Sequence, residues 1–323
     1  MRILLIANPT AGQGRVRWIA GFLQSALERY SAEVTLILTG GPRDAAVAAG
    51  YALESGRFDR VVAAGGDGTV NQIVNALVGT PLPLAILPLG TANSLAREIG
   101  LPLDLVRAAK IAVQGPPIRV DVGRTGGSYF LLEVSAGFDA EVVSSVRKPQ
   151  KRWLGAGAYI FNGLSILRTH EPFDLTLTLD GEVMNTQANM VIGANTATYV
   201  FGFRLARDAS IHDGLIDLCV LEAGVHPFRW QVMAGLCSRL GPRVGAVTYH
   251  ARKIRVESSP PAAVQIDGDP AGTTPIDIEC VPGALALIVP ERYARRVNAR
   301  RDLDPALLPP PRPAEAGVRT LKG

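Results

Sequence analysis

Cysteine is scarce in this chain of 323 residues, and the three that occur form no framework. Cys219, Cys237 and Cys280 are odd in number, widely spaced and set in apolar sequence. This pattern does not indicate a disulfide-stapled secreted scaffold or a zinc site of paired cysteines. The four histidines are scattered singly, without the spacing of metal ligands. We therefore expect a protein of a reducing compartment, most simply the cytoplasm.

Aromatic residues are also few, at 6% of the chain, and they are not interleaved with basic runs. Proteins that bind single-stranded nucleic acid use such aromatic residues as stacking platforms. The net charge of +4 is too small to argue for nucleic acid by itself, so we expect no nucleic-acid partner. A weakly basic surface suits an anionic substrate or an anionic membrane face equally well.

The sequence contains no apolar run long enough to span a membrane as a helix. Residues Met1–Ile6 are apolar, but Asn8 and Pro9 end the run before the core of a signal peptide could form. The uncharged stretch Gly68–Ala96 contains three prolines, which forbid a continuous buried helix. We expect a protein that is soluble, or at most peripherally associated with a membrane.

Strand and helix patterns alternate over the first third of the chain. Runs such as Ile3–Ile6 and Ala85–Leu87 are apolar on both faces, as a parallel sheet covered by helices requires. The repeat predicts a doubly wound α/β domain over residues 1–122. The predicted strands are 2–7, 33–38, 58–64 and 84–87, and the predicted helices are 16–30, 43–55, 70–78 and 92–99.

From about residue 118 the pattern changes to short β segments separated by Asp-Gly turns. This predicts a mainly antiparallel β-sandwich or barrel over residues 123–290, interrupted by helix-like stretches at 153–168 and 227–239. We expect the basic helix 291–301 to pack back on the first domain and the proline-rich tail 302–323 to be disordered. The predicted strands are 118–122, 129–134, 173–179, 190–194, 216–221, 253–257, 263–266, 275–280 and 285–289.

The run Gly65-Gly66-Asp67-Gly68-Thr69-Val70-Asn71 lies where an apolar strand opens into a helix. Exposed backbone N–H groups at a helix N-terminus favour bound phosphate. Asp67 is unusual there, because a carboxylate would repel the anion unless it holds a metal ion, a hydroxyl group or a water. The sequence contains no Gly-x-x-x-x-Gly-Lys-Ser/Thr phosphate-binding loop, and the Gly-x-Gly-x-x-Gly dinucleotide motif does not fit at this strand end. Taken alone, the run is equally consistent with a tight strand-to-helix turn.

Three further segments bear on the same chemistry. Asn8–Arg15 leaves the first strand through a glycine-rich turn that ends in a cation, and Leu87–Ser94 begins another helix with hydroxyl and amide groups. Gln265–Pro270 places two carboxylates across a turn, where one could accept the proton of an alcohol. A plain strand-to-helix turn, a helix cap and an ordinary Asp-Gly turn are the alternatives for these segments.

Together these motifs resemble the diacylglycerol kinase catalytic-domain family, and more closely its bacterial soluble lipid kinases, which also resemble sphingosine kinases. The pairing of Gly65–Asn71 with Leu87–Asn93 is the most specific part of the resemblance. Further similarity lies in Asp121–Gly123, in Ala136–Ala140 and in Leu154-Gly155. The resemblance implies a doubly wound α/β domain like that of NAD kinase and phosphofructokinase, followed by the antiparallel β-sandwich.

The resemblance also implies an ATP-dependent lipid kinase that phosphorylates a hydroxyl group of a diacylglycerol-like lipid, with ATP and Mg²⁺ as cofactors. Asp269 would be the catalytic proton acceptor, and Asp67 and Asp121 would belong to an acidic network tied to metal and water. The implied ligands of Mg²⁺ are Ser210, Asp213 and the carbonyl oxygen of Leu215. The implied ATP-binding residues are Asn8, Arg15, Thr39, Gly65, Gly66, Asp67, Gly68, Thr69, Asn71 and Thr91.

The chain departs from the family pattern at three positions. The family usually has glutamate where this chain has Asp269, so the side chain of the base is shorter by one methylene. It usually has lysine where Arg15 stands, and a small or amide residue where Glu133 stands. These changes affect the catalytic half of the predicted site more than the nucleotide half.

One segment of the sequence predicts contact with a membrane that contains the lipid acceptor. Arg147–Trp153 is basic and then aromatic, and the apolar stretch through Leu167 follows it, as expected for peripheral contact with anionic headgroups. A loop leading into a packed core helix is the alternative. A kinase for a soluble acceptor such as NAD and a non-catalytic nucleotide- or lipid-binding regulator both stay open, and so does a homodimer.

Overall fold

The computed structural model describes residues 1–14, 16–41, 43–145, 162–198, 206, 209–223 and 246–301. Arg15, the predicted helix 227–239 and the tail 302–323 lie outside these residues. The basic segment Arg147–Trp153 lies outside them as well. Of the predicted helix 153–168, residues from 162 onward are described, and residues 162–166 are helical.

The first unit is a parallel sheet in the order β2-β1-β3-β4. Its strands are β1 (Arg2–Ala7), β2 (Glu33–Leu38), β3 (Arg60–Gly65) and β4 (Leu84–Pro88). Its helices are α1 (Val16–Glu28), α2 (Asp44–Ser55), α3 (Asp67–Leu77), α4 (Ser94–Glu98) and α5 (Leu105–Gln114). Helices α1 and α5 share an apolar core on one face of the sheet, while α2, α3 and α4 share another on the opposite face. The predicted doubly wound domain is confirmed.

This strand order determines where a ligand crevice opens. The chain leaves β1 for α1 on one face of the sheet, and it leaves the neighbouring β3 for α3 on the other face. In open α/β sheets, ligands bind outside the carboxyl ends of the strands at such a switch point. The crevice is therefore bordered by the residues that follow β1 and β3.

The second unit is mainly antiparallel, as predicted. Its strands are β5 (Pro117–Thr125), β6 (Ser128–Phe130), β7 (Glu133–Gly137), β8 (Phe173–Leu179), β9 (Glu182–Ala194), β10 (Ile216–Glu222), β11 (Ala246–Ala251), β12 (Lys253–Ser259), β13 (Ala263–Ile266), β14 (Asp269–Thr273) and β15 (Ile276–Ile288). The helices are α6 (Phe138–Ser145) and α7 (Glu291–Arg301). Side chains such as Phe130, Leu218 and Val256 share one apolar core.

Strand β15 differs from the prediction, which divided it into 275–280 and 285–289. The strand is continuous, and its pairing with β5 shifts register between Val281 and Leu285. Gly283 lies inside this irregularity with a positive φ of 57°, which interrupts the alternating pattern on which the prediction depended. The end of β15 pairs with both β5 and β4, so Leu285–Ile288 extends the sheet of the first unit.

Among the described residues, the elements that were not predicted are α5, α6, β11, β14 and the short 3₁₀ helix Ala11–Gly14. The buried face of α5 consists mostly of alanine, including Ala108, Ala109 and Ala112, and this gives only a weak apolar signal. Asp104 caps the helix by accepting the N–H of Arg107 at 2.8 Å. The predicted strand 129–134 is divided into β6 and β7, because the N–H groups between them bond a distant carboxylate instead of a neighbouring strand.

Helix α7 packs through Tyr293, Ala294 and Val297 into the apolar core that also holds α2 and α3. It therefore lies on the face of the first sheet opposite to α1 and α5. Across the described ranges, no helix combines the length and the apolar character needed to cross a membrane.

Candidate active site

The predicted nucleotide residues that are described lie along one edge of the first sheet. Asn8 and Thr39 come directly after β1 and β2, Gly66 follows β3, and Thr91 follows β4. Parallel strands end at the same edge, so four separate stretches of sequence meet there. We call this region the nucleotide edge. Arg15 falls outside the described residues, and its predicted role stays a prediction.

Asn8 ties the end of β1 to the first turn of α3. Its Nδ2 donates to Oγ1 of Thr69 at 3.1 Å, and its Oδ1 accepts from the N–H and the hydroxyl group of Thr10 at 3.0 and 2.8 Å. Its own N–H bonds the carbonyl oxygen of Ala64 at 3.0 Å. Asn8 therefore holds the border of the crevice in shape.

The Gly65–Asn71 and Leu87–Asn93 motifs lie against each other, with their backbones in contact at Gly66 and Gly90. A Cβ atom added to Gly90 would lie 2.5 Å from Cα of Gly66, and one added to Gly65 would lie 2.6 Å from Cβ of Thr69. Both distances are shorter than real Cβ contacts, so a side chain at Gly90 would force the two loops apart, and one at Gly65 would displace Thr69 within its own loop. Helix α3 begins after Gly66 without a side-chain cap. The N–H groups of Thr69 and Val70 both bond the carbonyl oxygen of Gly66, at 2.9 and 3.1 Å, so an anion at this helix end would meet the N–H groups of Asp67 and Gly68.

Asp67 joins the same two loops through its carboxylate. Burial raises the pKa of this carboxyl group, and hydrogen bonds from backbone N–H groups oppose the rise. Those N–H groups include the ones of Leu95, Ser94 and Asn93, at the start of α4. A carboxylate at a helix N-terminus is favourable, so Asp67 has a structural role whether or not it also contacts metal or water.

The Asp267-Gly268-Asp269 segment connects β13 to β14 as a tight turn, which we call the acceptor-side turn. Asp267 and Gly268 both have positive φ, at 46° and 84°, as in hairpins with Asp-Gly sequences. The Asp267 carboxylate accepts the N–H groups of Leu131, Leu132 and Glu133 at 3.0, 3.0 and 2.9 Å. Asp269 is exposed at the start of β14, so its carboxylate is the one of the pair that is open to a substrate.

A buried polar cluster supports this turn from beneath. Nε2 of Gln265 lies 3.2 Å from Oε1 of Glu133, 2.9 Å from Oγ of Ser135 and 2.9 Å from Oδ2 of Asp139. Oε1 of Gln265 accepts the N–H of Gly268 at 2.7 Å, and the Ser135 hydroxyl donates to Asp139 at 2.6 Å. The cluster thereby connects β7 and α6 to the backbone of the turn.

Burial and neighbouring charge shift the carboxyl groups of this cluster. Burial raises the pKa of Glu133 well above its ordinary value, and the charges of Asp139 and Asp267 raise it further. Burial also raises the pKa of Asp267 to about 6, with a contribution from the charge of Asp67.

Asp121 and Asp213 form a second acidic group. Oδ1 and Oδ2 of Asp121 accept the N–H groups of Gly283 and Gly214, both at 2.7 Å. Burial raises the pKa of Asp213 to about 6, and the charges of Asp217 and Asp121 add to the rise. A divalent cation bound beside Asp213 would relieve this repulsion.

The predicted metal site consists of a hydroxyl group, a carbonyl oxygen and one carboxylate. Oδ1 of Asp213 accepts the N–H of Leu215 at 3.1 Å, which brings two of the three predicted ligands together. Ser210 lies three positions before Asp213. Within the described part of the chain, no group of three or more His, Cys, Asp or Glu side chains is arranged to hold a metal ion. The Mg²⁺ site therefore stays a prediction.

The structure divides the predicted acidic network into two groups. Asp67 acts on Asp267 at the acceptor-side turn, whereas Asp121 acts on Asp213 near the predicted metal site. Sequence reasoning did not include Asp267, Glu133 or Gln265 among the site residues. Gln265 and Asp267 lie in the acidic turn that the sequence singled out, but of its two carboxylates the prediction chose Asp269, and Glu133 was noted as a departure from the family pattern.

Two family models match the chain, and together they cover most of it. The diacylglycerol kinase catalytic domain matches residues 2–125. The YegS C-terminal NAD kinase beta sandwich-like domain matches residues 132–289. The gap between the two matches falls at β6, where the parallel sheet has given way to antiparallel strands.

Individual relatives match over nearly the full chain. A Chromohalobacter salexigens protein named probable lipid kinase YegS-like is 33% identical over 299 residues, covering 90% of this chain and 94% of that protein. The diacylglycerol kinase of Bacillus subtilis is 29% identical over 305 residues, covering 92% and 99%. A crystal structure named for a diacylglycerol kinase of Bacillus anthracis is 27% identical with a TM-score of 0.76, covering 90% and 96%. These matches confirm the family resemblance and the two-part fold.

Proposed function

This chain belongs to the diacylglycerol kinase catalytic-domain family of lipid kinases, and from that premise we propose that it transfers the γ-phosphoryl group of ATP to a lipid hydroxyl group. The acceptor we propose is diacylglycerol or a closely related lipid. The observation that carries the proposal is a run of hydrogen bonds from α3 to the acceptor-side turn. The Asn75 side chain bonds the N–H and the carbonyl oxygen of Tyr129, both at 2.9 Å, and the Asp267 carboxylate accepts the N–H of Leu131 at 3.0 Å. These bonds join the helix that begins at the nucleotide edge to a turn that bears an exposed carboxylate.

In this proposal the nucleotide edge binds and orients ATP. The N–H of Gly68, in the first turn of α3, would bind a phosphate oxygen, and the close approach of Gly66 and Gly90 leaves room for backbone alone. Positioning and electrostatic stabilisation supply most of the catalysis in phosphoryl transfer. The rigid contact of Asn8 with Thr69 would keep this edge in one shape while the reaction proceeds.

On the acceptor side, the lipid hydroxyl oxygen would form a bond to the γ-phosphorus as the bond from that phosphorus to ADP breaks. Asp269 would take the hydroxyl proton, acting as general base. Asp267 and Gln265 would hold the turn so that the Asp269 carboxylate points outward. Asp213 and Leu215 would hold Mg²⁺, which would offset negative charge around the phosphates and carboxylates.

The test is a labelled transfer reaction with the purified full chain. The protein is incubated with γ-³²P-labelled ATP, Mg²⁺ and a total lipid extract in detergent micelles, and in parallel with NAD. We expect label in an organic-phase product with the mobility of a lipid phosphate, which mass spectrometry then identifies. Label in the NAD product would establish the soluble-acceptor alternative. ATP and lipid binding without turnover in Mg²⁺ or Mn²⁺ would establish a non-catalytic regulator.

A further inference from the structure

The outer surface of α1 and α5 exposes large apolar side chains that nothing in the proposed reaction uses. Trp18 is 88% exposed and Phe22 is 47% exposed, four positions apart on the same side of α1. Leu103 and Val106 are exposed at the start of α5. We call these four residues the α1/α5 patch. Helices α1 and α5 pack in one apolar core, so the four side chains lie on the same face of the sheet, and grouped apolar side chains mark interaction sites more often than single ones do.

The patch lies at the end of the helix pair nearest the nucleotide edge. Helix α1 starts just after the loop that follows β1, and Trp18 is in its first turn. The C-terminal end of α5 lies at the start of β3, because the guanidinium of Arg60 donates to the carbonyl oxygens of Ala112 and Val113. The opposite end of α5, with Leu103 and Val106, therefore points toward the carboxyl edge of the sheet.

Basic side chains frame the patch. Arg17, Arg107 and Lys110 are exposed on the two helices, and they take part in none of the ion pairs between described residues. Two acidic side chains lie on the same surface: Asp104, which caps α5, and Glu28, at the end of α1 away from Trp18. The surface thus combines aromatic and aliphatic side chains with a small excess of positive charge.

We propose that the α1/α5 patch docks on the surface of an anionic lipid membrane. Aromatic side chains that enter the interface, together with basic side chains that meet anionic headgroups, are the two contributions that hold peripheral proteins on such membranes. The inference rests on the proposed function, since a lipid kinase has to meet its acceptor at a bilayer. Docking would bring the nucleotide edge close to the lipid headgroups.

Two other occupants fit the observations less well. The tail 302–323 follows α7, which packs on the opposite face of the sheet from α1 and α5. A second copy of the chain would bring Arg17, Arg107 and Lys110 against their own equivalents across a twofold axis, which is unfavourable without added anions. An anionic bilayer complements the same charges.

Fluorescence of Trp18 reports docking directly. The chain has three tryptophans, so Trp153→Phe with Trp230→Phe leaves Trp18 as the only one. We expect its emission to shift to the blue and to be quenched by brominated lipid when vesicles of phosphatidylcholine with about one third phosphatidylglycerol are added. Vesicles of phosphatidylcholine alone should give a much weaker response. An unchanged spectrum with the anionic vesicles would overturn the proposal.

Paired substitutions then measure the contributions to vesicle binding by flotation. Trp18→Ala with Phe22→Ala should weaken binding by about tenfold or more. Arg107→Gln with Lys110→Gln should weaken it by about fivefold for each charge, in anionic vesicles only. The matched control is Val47→Ala with Tyr51→Ala, an exposed pair at the same spacing on α2, which should bind like the unaltered chain. Equal binding by all variants would contradict the proposal.

The same variants separate failure of docking from failure of the proposed function. All of them should phosphorylate a short-chain diacylglycerol in neutral detergent micelles at the rate of the unaltered chain, with matching thermal unfolding midpoints. No turnover by any protein in micelles would count against the kinase function alone. A twofold drop in molar mass for Trp18→Ala with Phe22→Ala, measured by light scattering, would assign the patch to self-association and overturn membrane docking.

Discussion

The nucleotide edge and the acceptor-side turn each hold a carboxylate in place, but they are constructed differently. At the nucleotide edge, Gly66 and Gly90 let two backbones meet, and backbone N–H groups at the start of α4 favour the charged form of Asp67. At the acceptor-side turn, side-chain hydrogen bonds do the work, and Gln265 and Asp267 bond residues 126 to 136 positions away in the chain. The first region depends on the absence of side chains, and the second depends on the presence of specific ones.

This difference has a mechanical consequence. Where backbone meets backbone, any added volume separates the loops, because protein interiors adjust only slightly to a new methyl group. Where buried side chains bond one another, volume matters less than whether each polar group keeps its partner. At the nucleotide edge, a substitution should therefore do harm when it adds volume. At the acceptor-side turn, it should do harm when it leaves a buried polar group without a partner.

The largest effect is expected at the glycine pair. Gly90→Ala places a methyl group 2.5 Å from Cα of Gly66 and 2.9 Å from Oδ1 of Asn93. We expect ATP affinity, measured by calorimetry, to fall by about 100-fold or more as the loops separate. Gly50→Ala is the control, because it sits in α2 with nothing within 4 Å of the added atom. ATP binding by Gly90→Ala at normal affinity would show that the close approach is unimportant.

Asp121 tests whether loss of a buried partner acts on stability. In Asp121→Asn one side-chain oxygen becomes an NH₂ group, which would face a backbone N–H that now bonds a carboxylate at 2.7 Å. We expect the free energy of unfolding in urea to drop by about 2 to 4 kcal/mol. Asp174→Asn, at an exposed position, should change it by no more than about 0.5 kcal/mol. Equal stability of the two variants would remove Asp121 from this supporting role.

A smaller effect is expected at Glu133, and it depends on pH. Because the pKa of Glu133 is raised in the folded chain, the folded state holds a proton there that the unfolded state has released. The contribution of Glu133 to stability is therefore greatest at low pH, and it declines as the pH rises above the ordinary pKa of a glutamate side chain. Glu133→Gln, which cannot ionise, should be more stable than the unaltered chain by about 1 to 2 kcal/mol at pH 8.

The check is urea unfolding of both proteins between pH 5 and pH 8. The advantage of Glu133→Gln should shrink steadily toward pH 5, where the Glu133 carboxyl group is protonated in the folded chain. Glu182→Gln serves as the matched control at an exposed position, and its difference from the unaltered chain should not depend on pH. A constant difference for Glu133→Gln would mean that Glu133 carries no proton in the folded state.

The two regions also differ in how well the sequence predicts them. Strands β1 to β4 and helices α1 to α4 were predicted to within a few residues, because each has a local apolar pattern and glycines that mark its ends. The pairing of Gly66 with Gly90 was visible as two motifs at successive strand ends. The alanine face of α5 and the bulge at Gly283 weakened the local pattern, so α5 was missed and β15 was divided.

The cluster under the acceptor-side turn could not be predicted in this way. Gln265 meets Glu133, Ser135 and Asp139 only because β13 pairs with β7, and that pairing joins strands far apart in the chain. An Asp-Gly turn is recognisable from sequence, but which of its two carboxylates is buried is not. The structure answers that question, with Asp267 bonded inward and Asp269 exposed.

The central claim is that the nucleotide edge binds ATP and the acceptor-side turn supplies the general base. It is tested most directly by measuring ATP affinity and kcat for lipid phosphorylation in Asp269→Asn. Because Asp269 is exposed, the variant should fold normally and bind ATP within about twofold of the unaltered chain. Without the proposed general base, kcat should fall by about 100-fold or more. Asp174→Asn is the matched control and should keep both values. A kcat within about threefold of the unaltered chain, at full ATP affinity, would contradict the account.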